Sequence, residues 1–135
     1  DIAYPYLFSY FKGEEWRTQK LVKELLAKHF TNTPGGIPGN DDVGTMSAWA
    51  LFSMMGLYPD CPGVPEYTLT TPTFDKVTIT LNSDFYSQKE LVIEVANKES
   101  DSDYIKRVEM GGKKCGFRIN HNDLMEAGKL TFYKK

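Results

Sequence analysis

The spacing of apolar residues changes once along this 135-residue chain, near Pro59–Pro65, and that single change limits the folds open to it. Upstream, Leu21, Val22, Leu25, Leu26 and Phe30 recur at helical spacing, with Lys20, Lys23, Glu24 and Lys28 on the opposite side. That pattern predicts a helix from Glu15 to Phe30. Downstream, Tyr67, Leu69 and Thr71 alternate with Glu66, Thr68 and Thr70, and Val77–Leu81 alternates cleanly. Leu91–Ala96, Tyr104–Met110, Cys115–Ile119 and Leu130–Tyr133 follow, separated by turn-forming clusters, for about six short strands in all. Helices followed by strands, without alternation between them, predict an α+β chain. The expected boundaries are 1–62 for the helical part and 63–135 for a small antiparallel, sandwich-like β-structure.

Two further helices are expected upstream. Ile2–Phe11 is apolar and aromatic almost throughout, which suggests a helix buried on most sides, broken by Lys12 and Gly13. Val43–Leu57 is apolar nearly all round and is closed by Gly56 and Pro59. Two such helices in so short a segment cannot cover one another, so further helical neighbours are expected from outside it. The chain also begins without Met, inside what reads as a helix, which reads as a piece of a longer protein.

Composition excludes several classes of function. Net charge is −2, and no Lys/Arg cluster is interleaved with aromatics, so no nucleic-acid role is assigned. The longest strongly apolar run, Met46–Leu57, is too short to span a bilayer. Two cysteines and two histidines, none in metal-type spacing, argue against zinc. Cys61 and Cys115 read as half-buried thiols, with a disulfide as the alternative.

Chemistry concentrates in Thr33-Pro34-Gly35-Gly36-Ile37-Pro38-Gly39-Asn40-Asp41-Asp42-Val43-Gly44. Glycines and prolines impose an irregular path, and an amide and two adjacent carboxylates then precede an apolar helix. The positive end of that helix favours an ionised Asp42, suited to a general base or metal ligand. Asp42 could equally be a helix N-cap, but a cap accounts for one Asp and not for the pair. The other polar candidates read as structural: Glu14 and Glu15 as a helix start, Asp101–Asp103 as a turn, His29 at a helix C-terminus, and His121 in a loop. Trp16 reads as core, with a place lining a sugar site as the alternative.

Gly39-Asn40-Asp41-Asp42-x-Gly44-x-Met46-Ser47-Ala48-Trp49 resembles the signature of glycoside hydrolase family 92, the calcium-dependent α-mannosidases. Trp16–Gln19, Thr33–Gly36, Gly56–Pro59, Pro72-x-Phe74-Asp75-Lys76-Val77, and His121 with Gly128-x-Leu130-x-Phe132 fall in the family's order, so the resemblance covers nearly the whole chain. It implies the last helices of an (α/α)6-type barrel followed by a C-terminal β-structure, with the N-terminal sandwich and the rest of the barrel supplied by the remainder of the parent chain. It implies an exported enzyme that hydrolyses terminal α-linked mannose from glycans with inversion and needs Ca2+. The preferred linkage, α-1,2 or another, would be read by residues upstream. By the same resemblance Asp42 would be the general base. Asp41 or Asn40 would orient the water or support calcium, and the general acid and the Asn-Glu-Pro calcium ligands would lie upstream, leaving no certain metal ligand here. The competing reading is a non-catalytic carbohydrate-binding or structural module. An exposed strip of aromatics drawn from Tyr67, Phe85, Tyr86, Tyr104, Phe117, Phe132 and Tyr133 would favour it.

Overall fold

A computed structural model describes residues 2–135. Its first element departs from expectation. Ile2–Phe11 forms a 3-10 helix over Tyr4–Tyr10, not a buried α-helix. At three residues per turn, positions three apart eclipse one another. Tyr4, Leu7 and Tyr10 therefore share an exposed face, while Tyr6 and Ser9 share the buried one. An apolar composition alone cannot reveal this, because it does not distinguish a period of 3.0 from one of 3.6.

Helix α1 runs Glu15–His29, close to the expected span, and buries Thr18, Gln19 and Val22. A second helix, α2, runs Thr45–Met55. Trp49 and Ser53, one turn apart, face the 3-10 helix. Tyr6 Oη and Ser53 Oγ lie 2.6 Å apart, and the Tyr6 ring stacks on Tyr58 with centroids 4.7 Å apart. Phe30, just past α1, stacks on Trp49 at 5.4 Å. These contacts form a small aromatic core, Tyr6, Val22, Trp49 and Tyr58, distinct from the main one. Apolar surface stays open on the helical part: Leu51 and Phe11 are exposed.

Helix α2 stops at Gly56, whose φ of 90° lies in the left-handed region and whose N–H caps Phe52 and Ser53 carbonyls. A Cβ at this position would stand 3.0 Å from Pro72 Cγ and 3.1 Å from the Thr70 carbonyl oxygen. Both the dihedral and the close approach require glycine.

The strands form two sheets. β1 (Leu57–Tyr58), β2 (Glu66–Leu69) and β7 (Arg118–Asn120) make a three-stranded antiparallel sheet. β3 (Lys76–Thr80), β4 (Glu90–Val95), β5 (Ile105–Met110), β6 (Lys113–Cys115) and β8 (Lys129–Lys134) form the second sheet, in the order β3-β4-β8-β5-β6. One pairing breaks the antiparallel expectation: β4 and β8 run parallel, with Ile93 opposite Leu130. Period-two alternation specifies which face of a strand is buried but not its direction. Leu91, Ile93 and Val95 of β4 pack with Val108, Leu130, Phe132 and Leu124 into the main core. Leu124 belongs to α3 (His121–Ala127), which carries the chain from one sheet to the other and falls where a loop is expected. Its signals are short but present: Asn120 caps it by accepting from the Asn122 N–H at 2.8 Å, and Gly128 closes it in the left-handed conformation. Cys61 and Cys115 are free and half-buried.

The helical and β segments are joined by polar contacts as well as by packing. Gln19 of α1, buried, accepts from the Ile105 N–H of β5 at 3.0 Å. Asp60 is the more connected node. Its side chain is 2% exposed and accepts from Thr68 Oγ1 at 2.7 Å, from Tyr10 Oη at 2.8 Å and from Arg118 Nη1 at 3.2 Å. Arg118 lies over the Tyr10 ring at 4.1 Å and also reaches Glu66 at 3.0 Å. Removing Asp60 would leave a partly buried guanidinium and two hydroxyls short of a partner. Asp60→Ala is expected to destabilise the chain by about 2–4 kcal/mol, measured by urea unfolding, with the loss persisting in high salt. In the same assay, Gly56→Ala should cost about 1–2 kcal/mol for the dihedral alone, and more for the contact with Pro72.

Candidate active site at the start of α2

The acidic loop is built by local constraints. Thr31 N–H donates to the Gly36 carbonyl at 3.0 Å, and Gly36 N–H donates to the Thr33 carbonyl at 3.0 Å, closing a compact turn. A Cβ on Gly36 would fall 1.8 Å from the Thr31 carbonyl oxygen, so the turn admits no side chain there. From this turn the chain runs through exposed Asn40, Asp41 and Asp42 into a short 3-10 turn, Asp42–Gly44, and then α2.

Between Asp42 and Gly44 the backbone takes an unusual step. Val43 has φ 54° and is fully exposed. A β-branched residue in the left-handed region is strained by about 1–3 kcal/mol and persists only where its surroundings over-determine it. Val43 has no packing of its own to hold it. The restraint comes from flanking hydrogen bonds: Gly44 N–H to the Asp41 carbonyl at 2.6 Å, Thr45 Oγ1 to the Asp42 carbonyl at 2.6 Å, and Ser47 N–H to Asp41 Oδ1 at 2.7 Å. Ser47 Oγ also donates to Asp41 Oδ2.

The two acids consequently differ. The capping role that is the alternative for Asp42 falls to Asp41: Gly44 holds the N-cap position of α2, and the Asp41 side chain, three residues before it, accepts a free N–H of the first turn, that of Ser47. Its carboxylate takes up both the amide and the hydroxyl of Ser47. That hydroxyl, then the Ser47 and Met46 amides, hold Asp41 below the usual aspartate range. A lowered folded value means that this contribution is complete above the ordinary carboxylate range and is lost only as pH falls through the lowered one. Asp42 is left solvent-facing, and among the described residues its carboxylate has no hydrogen-bond or ion-pair partner. The Asn40 side chain beside it is likewise unengaged.

A mostly apolar cleft of about 410 Å³ runs beside the loop, lined by Leu25, Phe30, Pro38, Met46 and Trp49 among others. Trp16 is not brought to this place. It sits at the far end of α1 from Phe30, about 20 Å along the helix at 1.5 Å per residue. There it packs edge-on to Tyr104 at 6.4 Å and lies beneath Arg17 at 5.3 Å. His121 is engaged elsewhere, between two tyrosines: its Nδ1 is 2.8 Å from Tyr67 Oη and its Nε2 3.4 Å from Tyr86 Oη. Of the seven aromatics that could form a sugar-binding strip, only Phe85 is exposed. Sequence reasoning missed the partnership of Ser47 with Asp41, although an acid six residues before a serine near a helix start is a usable signal.

Calcium takes six to eight oxygen ligands. Among the described residues no group of three or more His, Cys, Asp or Glu side chains could hold a metal ion, and both Asp41 oxygens are occupied by Ser47. The loop's donor set does not amount to a calcium site on this chain by itself. Among the described residues no helix is long and apolar enough to cross a membrane.

Comparisons with known proteins place the chain in a family. The model of the glycosyl hydrolase family 92 catalytic domain matches residues 1–134. The chain is similar to a family 92 alpha-mannosidase of Bacteroides thetaiotaomicron solved with mannoimidazole, at 29% identity and a TM-score of 0.85, covering 99% of this chain and 17% of that one. It is similar to an inverting mannosidase of the same family and organism, at 32% identity and a TM-score of 0.82, covering 98% and 18%. Its mixed helix-and-sheet fold is thus that of family 92 structures. An uncharacterized secreted glycosidase of Arthroderma benhamiae is 30% identical over 124 residues, covering 90% of this chain and 16% of that protein. The chain therefore spans about a sixth of the length of these relatives. With its signature loop, its fold and a family match over nearly every residue, the chain belongs to glycosyl hydrolase family 92.

Proposed function

We propose that this chain forms the C-terminal part of an inverting exo-α-mannosidase and supplies its general base, Asp42. The observation that carries this reading is the difference between the two acids. The helix start already has its cap in Asp41, so Asp42 has no structural task, yet the turn that presents it is held at the expense of a strained valine. A free, solvent-facing carboxylate on a rigid turn is suited to take a proton from an attacking water. In an inverting glycosidase that water sits between base and sugar, so the two carboxyl groups stand roughly 6.5–9.5 Å apart. The partner acid belongs to the remainder of the parent chain.

In this reading residues 1–62 are the last helices of the catalytic barrel, and 63–135 form the C-terminal β-structure. The exposed Leu51 and Phe11 and the cleft beside Met46 would be covered by the rest of that barrel. Asn40 lies next to the base and is placed to hydrogen-bond a sugar hydroxyl or the water. Trp16, at the other end of α1, has no part in this site. The substrates are mannose-containing glycans, and the similarity to a secreted glycosidase supports export of the parent. Calcium belongs to the intact enzyme, its ligands coming from outside this chain. Of the aromatics of the β-structure that could form a strip, only Phe85 is exposed and the others are buried or half-buried, which disfavours a sugar-binding module.

In the full-length parent, Asp42→Asn is expected to lower kcat on an aryl α-mannoside by roughly 10²–10⁴-fold with the fold intact. Near-normal turnover by that variant would remove Asp42 from the chemistry. The isolated 135-residue chain should show no turnover of the same substrate, since in this reading the general acid comes from the remainder of the parent chain. Calcium chelation of the parent should abolish activity, and chelator-insensitive hydrolysis would contradict the metal requirement.

A further inference from the structure

We propose that Ser47 is a positioning residue for the reaction, acting through Asp41 to keep Asp42 the free carboxylate of the pair. This rests on the reading of Asp42 as the base and adds a residue and a division of labour to it. The two acids are adjacent and chemically identical, so something must decide which one faces the sugar. Ser47 engages both carboxylate oxygens of Asp41, the amide on Oδ1 at 2.7 Å and the hydroxyl on Oδ2. An acid with both oxygens taken by donors is poorly placed to accept a proton, and its side chain is fixed toward α2. The next residue but one, Val43, has φ 54° and is fully exposed, so no side-chain packing holds the turn. The turn keeps its shape through Asp41 on one side and Thr45 on the other, the latter bonding the Asp42 carbonyl at 2.6 Å. Loss of the Ser47 hydroxyl frees one Asp41 oxygen, and the strained step can then relax toward ordinary backbone. Asp42 loses its fixed direction, and Asp41 becomes a competing carboxylate.

The effect should fall on turnover and not on binding, because Ser47 touches no substrate. In the full-length enzyme, Ser47→Ala should lower kcat on an aryl α-mannoside roughly ten- to hundredfold, the cost of a misplaced catalytic group, while KM stays within about twofold. Ser47→Thr, which keeps the hydroxyl, should restore most of the loss. A second variant approaches the turn from the other side. Val43→Gly relieves the left-handed strain and leaves the Ser47 clamp in place, so its melting temperature should stay level or rise, and Ser47→Ala made in that background should lose less turnover than it does in the parent. A merely structural Ser47 would move stability and activity together, and its loss would be the same in both backgrounds. If Asp42→Asn is inactive but Ser47→Ala keeps kcat within about twofold of the parent, the clamp is refuted and the base assignment stands. If Asp42→Asn itself keeps its activity, the clamp falls together with that assignment. Should Ser47→Ala fail to fold, the same substitution in the strain-free Val43→Gly background decides: kcat within about twofold of Val43→Gly refutes the clamp, and a larger loss at an unchanged melting temperature supports it.

Discussion

A carboxylate withdrawn from water must find partners, and in this protein Asp60 organises three segments by doing so. With its side chain 2% exposed, it needs the hydroxyls of Thr68 and Tyr10 and the guanidinium of Arg118 to compensate for lost hydration. Those partners come from β2, the first 3-10 helix and β7, far apart in the chain. Once they meet, the 3-10 helix is fixed against the three-stranded sheet, and its buried face, Tyr6 and Ser9, is fixed against Ser53 and Thr18. The position of α2 follows, and with it the loop that opens α2. The acidic turn is thus oriented by a polar node that contains none of its own residues.

Two cores share the work. The sheet core is apolar and ordinary, with Leu69, Ile93, Val108, Leu124, Leu130 and Phe132 packed together. The helical core is small and aromatic and leaves much of the helices' apolar surface open. A helix such as α2, apolar nearly all round, is not satisfied by one neighbour. This imbalance fits a chain that spans about a sixth of its family 92 relatives.

Much of this was legible beforehand. Glu15–His29 follows directly from Leu21, Val22, Leu25 and Leu26 at helical spacing. Most strands fall where alternation places them, since a sheet with one buried face needs period two. The failures share a cause. The 3-10 form of Tyr4–Tyr10, the parallel pairing of β4 with β8 and the helix at His121–Ala127 each depend on what the segment packs against. A seven-residue helix is marginal alone and exists here because Leu124 is buried in the sheet core. At the site, the Gly/Pro loop and its cluster of Asn and Asp could be read directly. Which of Asp41 and Asp42 bonds the start of α2 could not, because it depends on the left-handed backbone step at Val43.

By itself the sequence determined the α+β division, the position of α1, the family signature at Gly39–Trp49 and the presence of two candidate acids before α2. These are properties of local spacing and residue type. Tertiary structure alone decided the parallel strand pair, the burial of Asp60 among Tyr10, Thr68 and Arg118, and the assignment of Asp41 to capping and Asp42 to solvent. Strand direction depends on β4 meeting β8, 37 residues on, and the Asp60 node on Tyr10 and Arg118, 50 and 58 residues from it, meeting in space. The split between the acids depends on a left-handed step that local preference opposes and that only the hydrogen bonds around it sustain.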